Sequence, residues 1–287
     1  MNVQATKLRE AMKQGVVMCP GAWNGLVGAA IASADFEACY VSGGATANAS
    51  GYPDIGLITL TEMCRTIKEV SVASNLPVIV DADTGYGEIE CLARTVVEYE
   101  RSGAAGMHIE DQEFPKRCGH LDGKTLVSTS LMVEKIKTAS QNRLSKEFVL
   151  IARTDARGVD GMDAAIDRGN AYRDAGADMI FPEGLRSKEE FEEFAKQCPG
   201  LLRANMTEFG KTPHITNEQF GEMGYDIVIY PVTFQRVAMG AISRCLKQLK
   251  TDGSAEGFEN QMQSRQELYD LLGYVPGEAW SFPNLTR

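Results

Sequence analysis

Two aspartates separated by one alanine, Asp81 and Asp83 in "DADTGYG", are the first residues of the chain whose types and spacing could do chemistry. Alternate residues of a strand face the same side, so both carboxylates can reach one point. Adjacent like charges invite a cation. Hard oxygen ligands suit Mg²⁺, with Mn²⁺ as a substitute, because these ions keep several waters and take few protein carboxylates. Zinc suits the chain less well, since only three histidines occur and no two lie close in sequence. Gly85 and Gly87 allow a tight turn beside the ion; one of the aspartates could instead cap the next helix.

The second candidate is "PKRCGHLDGK" at positions 115–124, where Cys118 stands among Lys116, Arg117 and His120. So much glycine and charge marks a loop rather than a core element. Nearby cations should lower the thiol's pKa, whereas carboxylates such as Glu113 oppose them, so its resting protonation is open. Taken alone, the loop reads equally well as a solvated turn with an incidental cysteine.

These residues need elements to position them. Short apolar runs, "VVMCPG", "ACYVSGG", "PVIVDAD", "MHIED", "FVLIARTD", "MIFPE", "LLRANM" and "IVIYP", alternate with segments whose apolar residues recur at three and four. Gly103, Gly176 and Gly224 mark a repeated helix-to-strand joint. Eight β-then-α units without a Pro-, Gly- or Ser-rich linker predict one α/β domain over 1–287, a single (β/α)₈ TIM-type barrel, with a doubly wound open sheet as the alternative. Positions 252–287 read as a C-terminal helical extension and tail. "EGFENQMQSRQELYDLLGY" reads as one further amphipathic helix, docked on the barrel or on a neighbouring subunit.

In such a barrel the active site lies at the C-terminal strand ends. Those ends carry Ser42-Gly43-Gly44, Asp81, Asp83, His108, Glu110, Asp111, Arg153, Asp155, Glu183, Asn205 to Glu208 and Arg236. Buried charge is costly unless paired or metal-bound, so the set implies a polar cavity. "SGG" is either an anion cradle of backbone amides or a tight turn, and neither a P-loop nor a dinucleotide fingerprint occurs.

Composition limits the partners. The 287 residues carry a formal net charge of -10 with no basic run, which argues against nucleic acid and anionic membranes. The apolar runs are too short to span a bilayer, and "MNVQATKLREAMKQG" reads as an amphipathic helix rather than a signal peptide. Seven cysteines without a CxxC suit a reducing compartment, and the expectation is a cytoplasmic protein.

"KRCGH" following "DADTGYG" and "HIEDQ", together with "YVSGG", "ARTDA", "FPE", "NMTEFG", "YPVTFQR" and "MQSRQELYD", resembles the isocitrate lyase and phosphoenolpyruvate mutase superfamily over nearly the whole chain. The resemblance implies a Mg²⁺-dependent carbon–carbon lyase that splits a 2-hydroxy tricarboxylate into succinate and a 2-oxo acid. It also implies a homotetramer whose subunits exchange the eighth helix. Asp81 and Asp83 would be the metal-site carboxylates, with His108 and Glu110 supporting the metal's water shell. Ser42, Gly43 and Gly44 would hold the oxo-acid half, and Arg153 would lie near the reacting oxygens. Gly119, His120, Glu183, Asn205, Met206 and Thr207 would contact substrate, while Arg236 and Arg265 would clamp carboxylates. Cys118, on a closing loop with Gly119 and Gly123 as hinges, would protonate the departing succinate carbon. Tyr40 is the candidate for handling the hydroxyl proton.

The short barrel and Arg265 favour 2-methylisocitrate, cleaved to pyruvate and succinate in the methylcitrate cycle of propionate catabolism. Isocitrate, 2,3-dimethylmalate and phosphonates are the alternatives within the superfamily. A Mg²⁺-dependent oxo-acid aldolase and a silent scaffold barrel are the alternatives outside it.

Overall fold

All eight apolar runs form strands: β1 (Val17–Pro20), β2 (Cys39–Val41), β3 (Val78–Asp81), β4 (Gly106–Glu110), β5 (Val149–Thr154), β6 (Met179–Pro182), β7 (Leu201–Asn205) and β8 (Ile227–Tyr230). The structure is a computed structural model and describes residues 2–281. The helices are α1 (Val3–Gln14), α2 (Gly25–Ser33), α3 (Gly43–Ala49), α4 (Leu60–Ser74), α5 (Ile89–Arg101), α6 (Thr129–Asn142), α7 (Met162–Asp174), α8 (Lys188–Gln197), α9 (Asn217–Glu222), α10 (Thr233–Asp252) and α11 (Arg265–Leu272).

The strands run in the order β1-β8-β7-β6-β5-β4-β3-β2, with every laddered pair parallel. Between β1 and β2 the ladder shrinks to one bridge, Gly21 to Tyr40, with the Ala22 N–H donating to the Tyr40 carbonyl at 2.8 Å. The sheet is therefore a nearly closed barrel rather than an open doubly wound one. Gly103, Gly176 and Gly224 have φ of 104°, 110° and 83°, the left-handed joint that glycine supplies without a Cβ penalty.

Two apolar layers follow from strand alternation. Outward-facing residues such as Val80, Met107, Leu150 and Ile180 pack under the helices. Inward-facing Val17, Cys19, Ile79, Ile151, Phe181 and Ile229 fill the barrel, and Ala5, Leu8 and Met12 of α1 plug its N-terminal end. That plug leaves the opposite end, where the polar strand ends gather, as the open mouth. The side chain of Asn2 caps α1 by accepting from the Ala5 N–H at 3.0 Å.

The C-terminal extension differs from expectation. The stretch read as one helix is a short 3₁₀ turn, Glu256–Gln261, followed by α11. Ser264 restarts the chain: its side chain accepts from the Glu267 N–H while the Glu267 carboxylate accepts from the Ser264 N–H, a capping box that outweighs apolar periodicity. Residues 282–287 of the expected irregular tail lie outside the described residues. Helix α10 buries only Gln235, and its apolar stripe of Phe234, Val237, Ile242, Leu246 and Leu249 faces outward. On β1, Met18 is exposed between buried neighbours.

Candidate active site

The floor of the mouth is built on β3 and the turn after it. Asp81 ends the strand, but Asp83 lies beyond it, so strand alternation is not what brings the two carboxylates together. Asp83 takes a left-handed φ of 46° and its N–H donates to Asp81 Oδ1 at 3.0 Å, which folds the second carboxylate back beside the first. Gly43 makes room for both: a Cβ there would lie 3.1 Å from Asp81 Oδ2 and 3.1 Å from Asp83 Oδ1. Its N–H donates to Asp81 Oδ2 at 3.1 Å, so this amide serves the carboxylate pair rather than an open anion cradle. Ser42 caps α3, accepting from the Ala45 N–H at 3.2 Å, and Gly44 gives the same clearance to Asp54.

Charge around this floor is finely divided. Burial alone would raise Asp81, yet His108, Lys116 and Arg153 outweigh it and hold the carboxyl below the usual range. His108 is itself kept neutral by burial, so the two fixed cations carry that effect. Burial pushes Asp83 up, Lys116 opposes, and the like charge of Asp81 adds to the rise. Lys116 lies 2.8 Å from Asp83 Oδ1 and also pairs with Asp54; those carboxylates and Glu110 overcome the burial penalty and keep its ammonium charged.

Among the described residues no three His, Cys, Asp or Glu side chains converge as metal ligands. Two buried carboxylates do converge; among the described residues Glu110 Oε1 has no hydrogen-bond partner, while Asp83 Oδ1 and Glu110 Oε2 are met by the cations Lys116 at 2.8 Å and Arg153 at 3.0 Å. This donor set fits a hard divalent ion that takes few protein oxygens and fills its other positions with water or ligand. Asp81 and Asp83 would hold it. Glu110, which burial pushes far above the ordinary carboxylate range, and His108 stand behind them in β4.

Tyr40 reaches the same floor from β2. Its hydroxyl lies 2.8 Å from His108 Nε2 and donates to Asp81 Oδ2 at 3.4 Å. Burial raises the phenol well above its usual pKa, reinforced by Asp81, so Tyr40 acts as a protonated hydrogen-bonding group and not as a standing phenolate base.

Arg153 crosses the cavity from β5. It grips Asp155 in bidentate fashion at 2.8 and 3.1 Å and lies 3.0 Å from Glu110 and 3.7 Å from Glu183. Burial would raise Glu183, but Arg153 and His120 reverse this and hold it ionised. His120 Nε2 is 3.1 Å from Glu183, and Asn205 donates to Glu183 at 3.2 Å. Arg236, at the start of α10, donates to Thr207 Oγ1 at 3.2 Å and to the Glu208 carboxylate at 2.9 Å.

The Cys118 loop lies over these groups. Gly119 is pressed so close that a Cβ would fall 2.3 Å from Glu183 Cγ and 2.5 Å from Arg153 Nη2. Gly123 has the turn conformation expected of a hinge, φ 77°, whereas Gly119 is required for close approach. The flanking cations do not activate the thiol as the sequence suggested: Lys116 turns to the aspartates and Arg117 to the Asp122 carbonyl. Burial dominates and raises Cys118, so it rests as a protonated thiol.

A cavity of about 170 Å³ collects these residues, lined by Tyr40, Ser42, Gly44, Asp81, Cys118, Gly119, His120, Arg153, Glu183, Asn205, Thr207 and Arg236. A larger groove of about 750 Å³ reaches the candidate set only at Asp83, which does not line the smaller cavity. Two expected contacts are elsewhere. Met206 points into the layer between strands and helices, and Arg265 is exposed on α11, away from the cavity. Lys116, Asp54 and Arg203 were missed as site groups. Arg203 is fully buried, its three guanidinium nitrogens have no hydrogen-bond partner among the described residues, and it lies 4.0 Å from the Phe181 ring centroid. Its signal was available: a cation at an inward-facing position of the otherwise apolar "LLRANM".

The family model described as phosphoenolpyruvate phosphomutase matches residues 8–250. A probable 2-methylisocitrate lyase 1 of Corynebacterium glutamicum is 48% identical over 95% of this chain and 91% of its own length. The 2-methylisocitrate lyase of Aeropyrum pernix is 47% identical over 93% of this chain and 86% of its own. Among solved structures, a 2,3-dimethylmalate lyase, described as a PEP mutase/isocitrate lyase superfamily member, superposes with a TM-score of 0.89 at 39% identity, covering 94% of this chain and 91% of its own.

Proposed function

Because the chain belongs to the phosphoenolpyruvate phosphomutase and isocitrate lyase family, we propose that it is a carbon–carbon lyase that cleaves 2-methylisocitrate to pyruvate and succinate. The observation that carries the reading is the cavity at the strand ends, with buried Asp81 at its floor, Asp83 folded back beside Asp81, and a protonated, loop-borne Cys118 at its rim.

The bond to be broken joins the hydroxyl-bearing carbon to the carbon that becomes part of succinate. The hydroxyl gives up one proton, matched by the one Cys118 delivers, so that exchange with solvent after product release restores the thiol. The hydroxyl oxygen becomes the pyruvate carbonyl, and the electron pair of the carbon–carbon bond moves to the succinate half, delocalising into the adjacent carboxylate. A Mg²⁺ ion bound at Asp81 and Asp83 would supply Lewis-acid polarisation of the hydroxyl and carboxylate oxygens. The Tyr40 hydroxyl, held between His108 and Asp81, orients the oxo-acid half. Arg153 offers a fixed positive charge where negative charge develops, and Arg236 with Asn205 and Thr207 receives the succinate carboxylates. Cys118 gives its proton to the carbanion, which the closed loop shields from water.

The assembly is a homotetramer in which α10 crosses to a neighbour. Its outward apolar stripe and the exposed Met18 on the barrel wall support this reading, because a helix laid on the barrel would bury both. The site is read as a Mg²⁺ site that also takes Mn²⁺, in a cytoplasmic enzyme of propionate breakdown. The seven cysteines are all free thiols, and no described helix is long and apolar enough to cross a membrane.

Incubation with Mg²⁺ and either 2-methylisocitrate, isocitrate or 2,3-dimethylmalate separates the substrates. Equimolar pyruvate and succinate formed fastest from 2-methylisocitrate supports the proposal. Glyoxylate formed faster from isocitrate, or preferred cleavage of dimethylmalate, overturns it.

A further inference from the structure

Resting on the lyase reading above, we propose that Lys124 is a positioning residue that latches the Cys118 loop onto the aspartate orienting Arg153. Lys124 closes the loop sequence, six residues after the thiol, yet its side chain is only 3% exposed. Its ammonium donates to the Gly119 carbonyl, immediately after Cys118, and lies 3.0 Å from Asp155 Oδ1. The same Asp155 oxygen accepts from Arg153 Nη2 at 3.1 Å, while Oδ2 accepts from Arg153 Nε at 2.8 Å. One carboxylate therefore holds both the loop and the guanidinium beneath it.

Asp155 is itself rigidly mounted. Its N–H donates to Asp111 Oδ1 at 2.9 Å, and the other Asp111 oxygen takes Thr154 and Tyr172 hydroxyls at 2.8 Å each and Arg168 at 3.1 Å. Gly158 leaves the space that the lysine occupies, since a Cβ there would come within 3.3 Å of Nζ. The other loop ties have different ends: Lys116 reaches Asp83 and Asp54, His120 reaches Glu183, and Lys211 meets the exposed Asp122 at 2.5 Å. Lys124 joins the backbone beside the proton donor to the support of Arg153, so the two reach their working positions together.

The test pairs activity with a readout independent of substrate identity. Lys124→Met keeps the unbranched stem, one heavy atom shorter, and removes the charge, while Asp155 stays paired through Arg153. Loss of charge-assisted hydrogen bonds of this kind corresponds to roughly tenfold to a hundredfold in an equilibrium. The expected result is a rise of about tenfold in the rate at which iodoacetamide alkylates Cys118, followed by peptide mapping. A fall of about thirtyfold in kcat should accompany it, with KM changed by less than about threefold. Lys124→Gln, which keeps an N–H donor, should recover part of both effects.

In the unmodified protein the latch predicts that an amine-reactive ester labels Lys124 at least about tenfold more slowly than the exposed Lys13. This arm needs no variant to fold. An unchanged Cys118 alkylation rate in Lys124→Met, or Lys124 labelling as fast as Lys13, overturns the latch even if activity falls. Failure to cleave any substrate overturns the lyase reading alone, because alkylation and labelling still report on the loop.

Discussion

Replacing Arg203 with methionine should stabilise the protein. Arg203 stands in the barrel one layer below the cavity floor, fully buried, with no hydrogen bond to any group among the described residues. Burying an ion costs several kcal/mol even after relaxation. The guanidinium recovers part of this from Phe181, at 4.0 Å from the ring centroid, and less from Tyr40 at 5.4 Å, together about 2 kcal/mol for a desolvated cation. Burial accordingly lowers its pKa. A net cost of about 2 kcal/mol remains, and the unbranched methionine fills much of the same space without it. For 287 residues the unfolding entropy is about 0.6 kcal/mol per kelvin, so the melting temperature should rise by about 3 °C. Differential scanning calorimetry at matched protein concentration reads this directly. A fall of more than about 2 °C would mean that Arg203 has a partner, such as ordered water or a bound anion, and would refute the reasoning.

Further outcomes follow from the same geometry. Asp83→Asn should remove the Mg²⁺-dependent rise in melting temperature, because one of two converging carboxylates is lost; an unchanged rise would place the ion elsewhere. The alkylation rate of Cys118 should climb with pH through and beyond about 9 with no inflection below it, since burial raises the thiol. A midpoint near 7 would show a thiolate instead. If the proposed tetramer forms through α10, Ile242→Asp and Leu246→Asp on its outward stripe should lower the mass read by light scattering, and a mass unchanged from wild type would contradict the proposed interface.

Much of this was legible in the sequence because the repeat enforces it. Each βα unit must bury one strand face under a helix, so apolar runs and joint glycines announce the barrel, and the barrel rule then points to the strand ends. What local pattern misses is contact between units. Asp83 meets Asp81 through a left-handed turn rather than through strand alternation. Cys118 looks electropositive in sequence, yet Lys116 is drawn away by Asp54 and Asp83, residues far along the chain, and Arg117 turns to the Asp122 carbonyl. Met206 sits within a polar motif but faces the helices, because its neighbours Asn205 and Thr207 take the cavity side. Arg265 shares a motif with the site residues without sharing their place. The capping box at Ser264 breaks a helix that periodicity alone would have continued.

The most direct test follows product formation from (2R,3S)-2-methylisocitrate and Mg²⁺ by the wild-type protein and by Cys118→Ser. The account predicts one pyruvate per succinate from wild type. It predicts a loss of about a hundredfold or more in kcat for Cys118→Ser, with the Mg²⁺-dependent thermal shift intact. Full turnover by Cys118→Ser, or no cleavage by a wild-type protein that binds the metal, would contradict it.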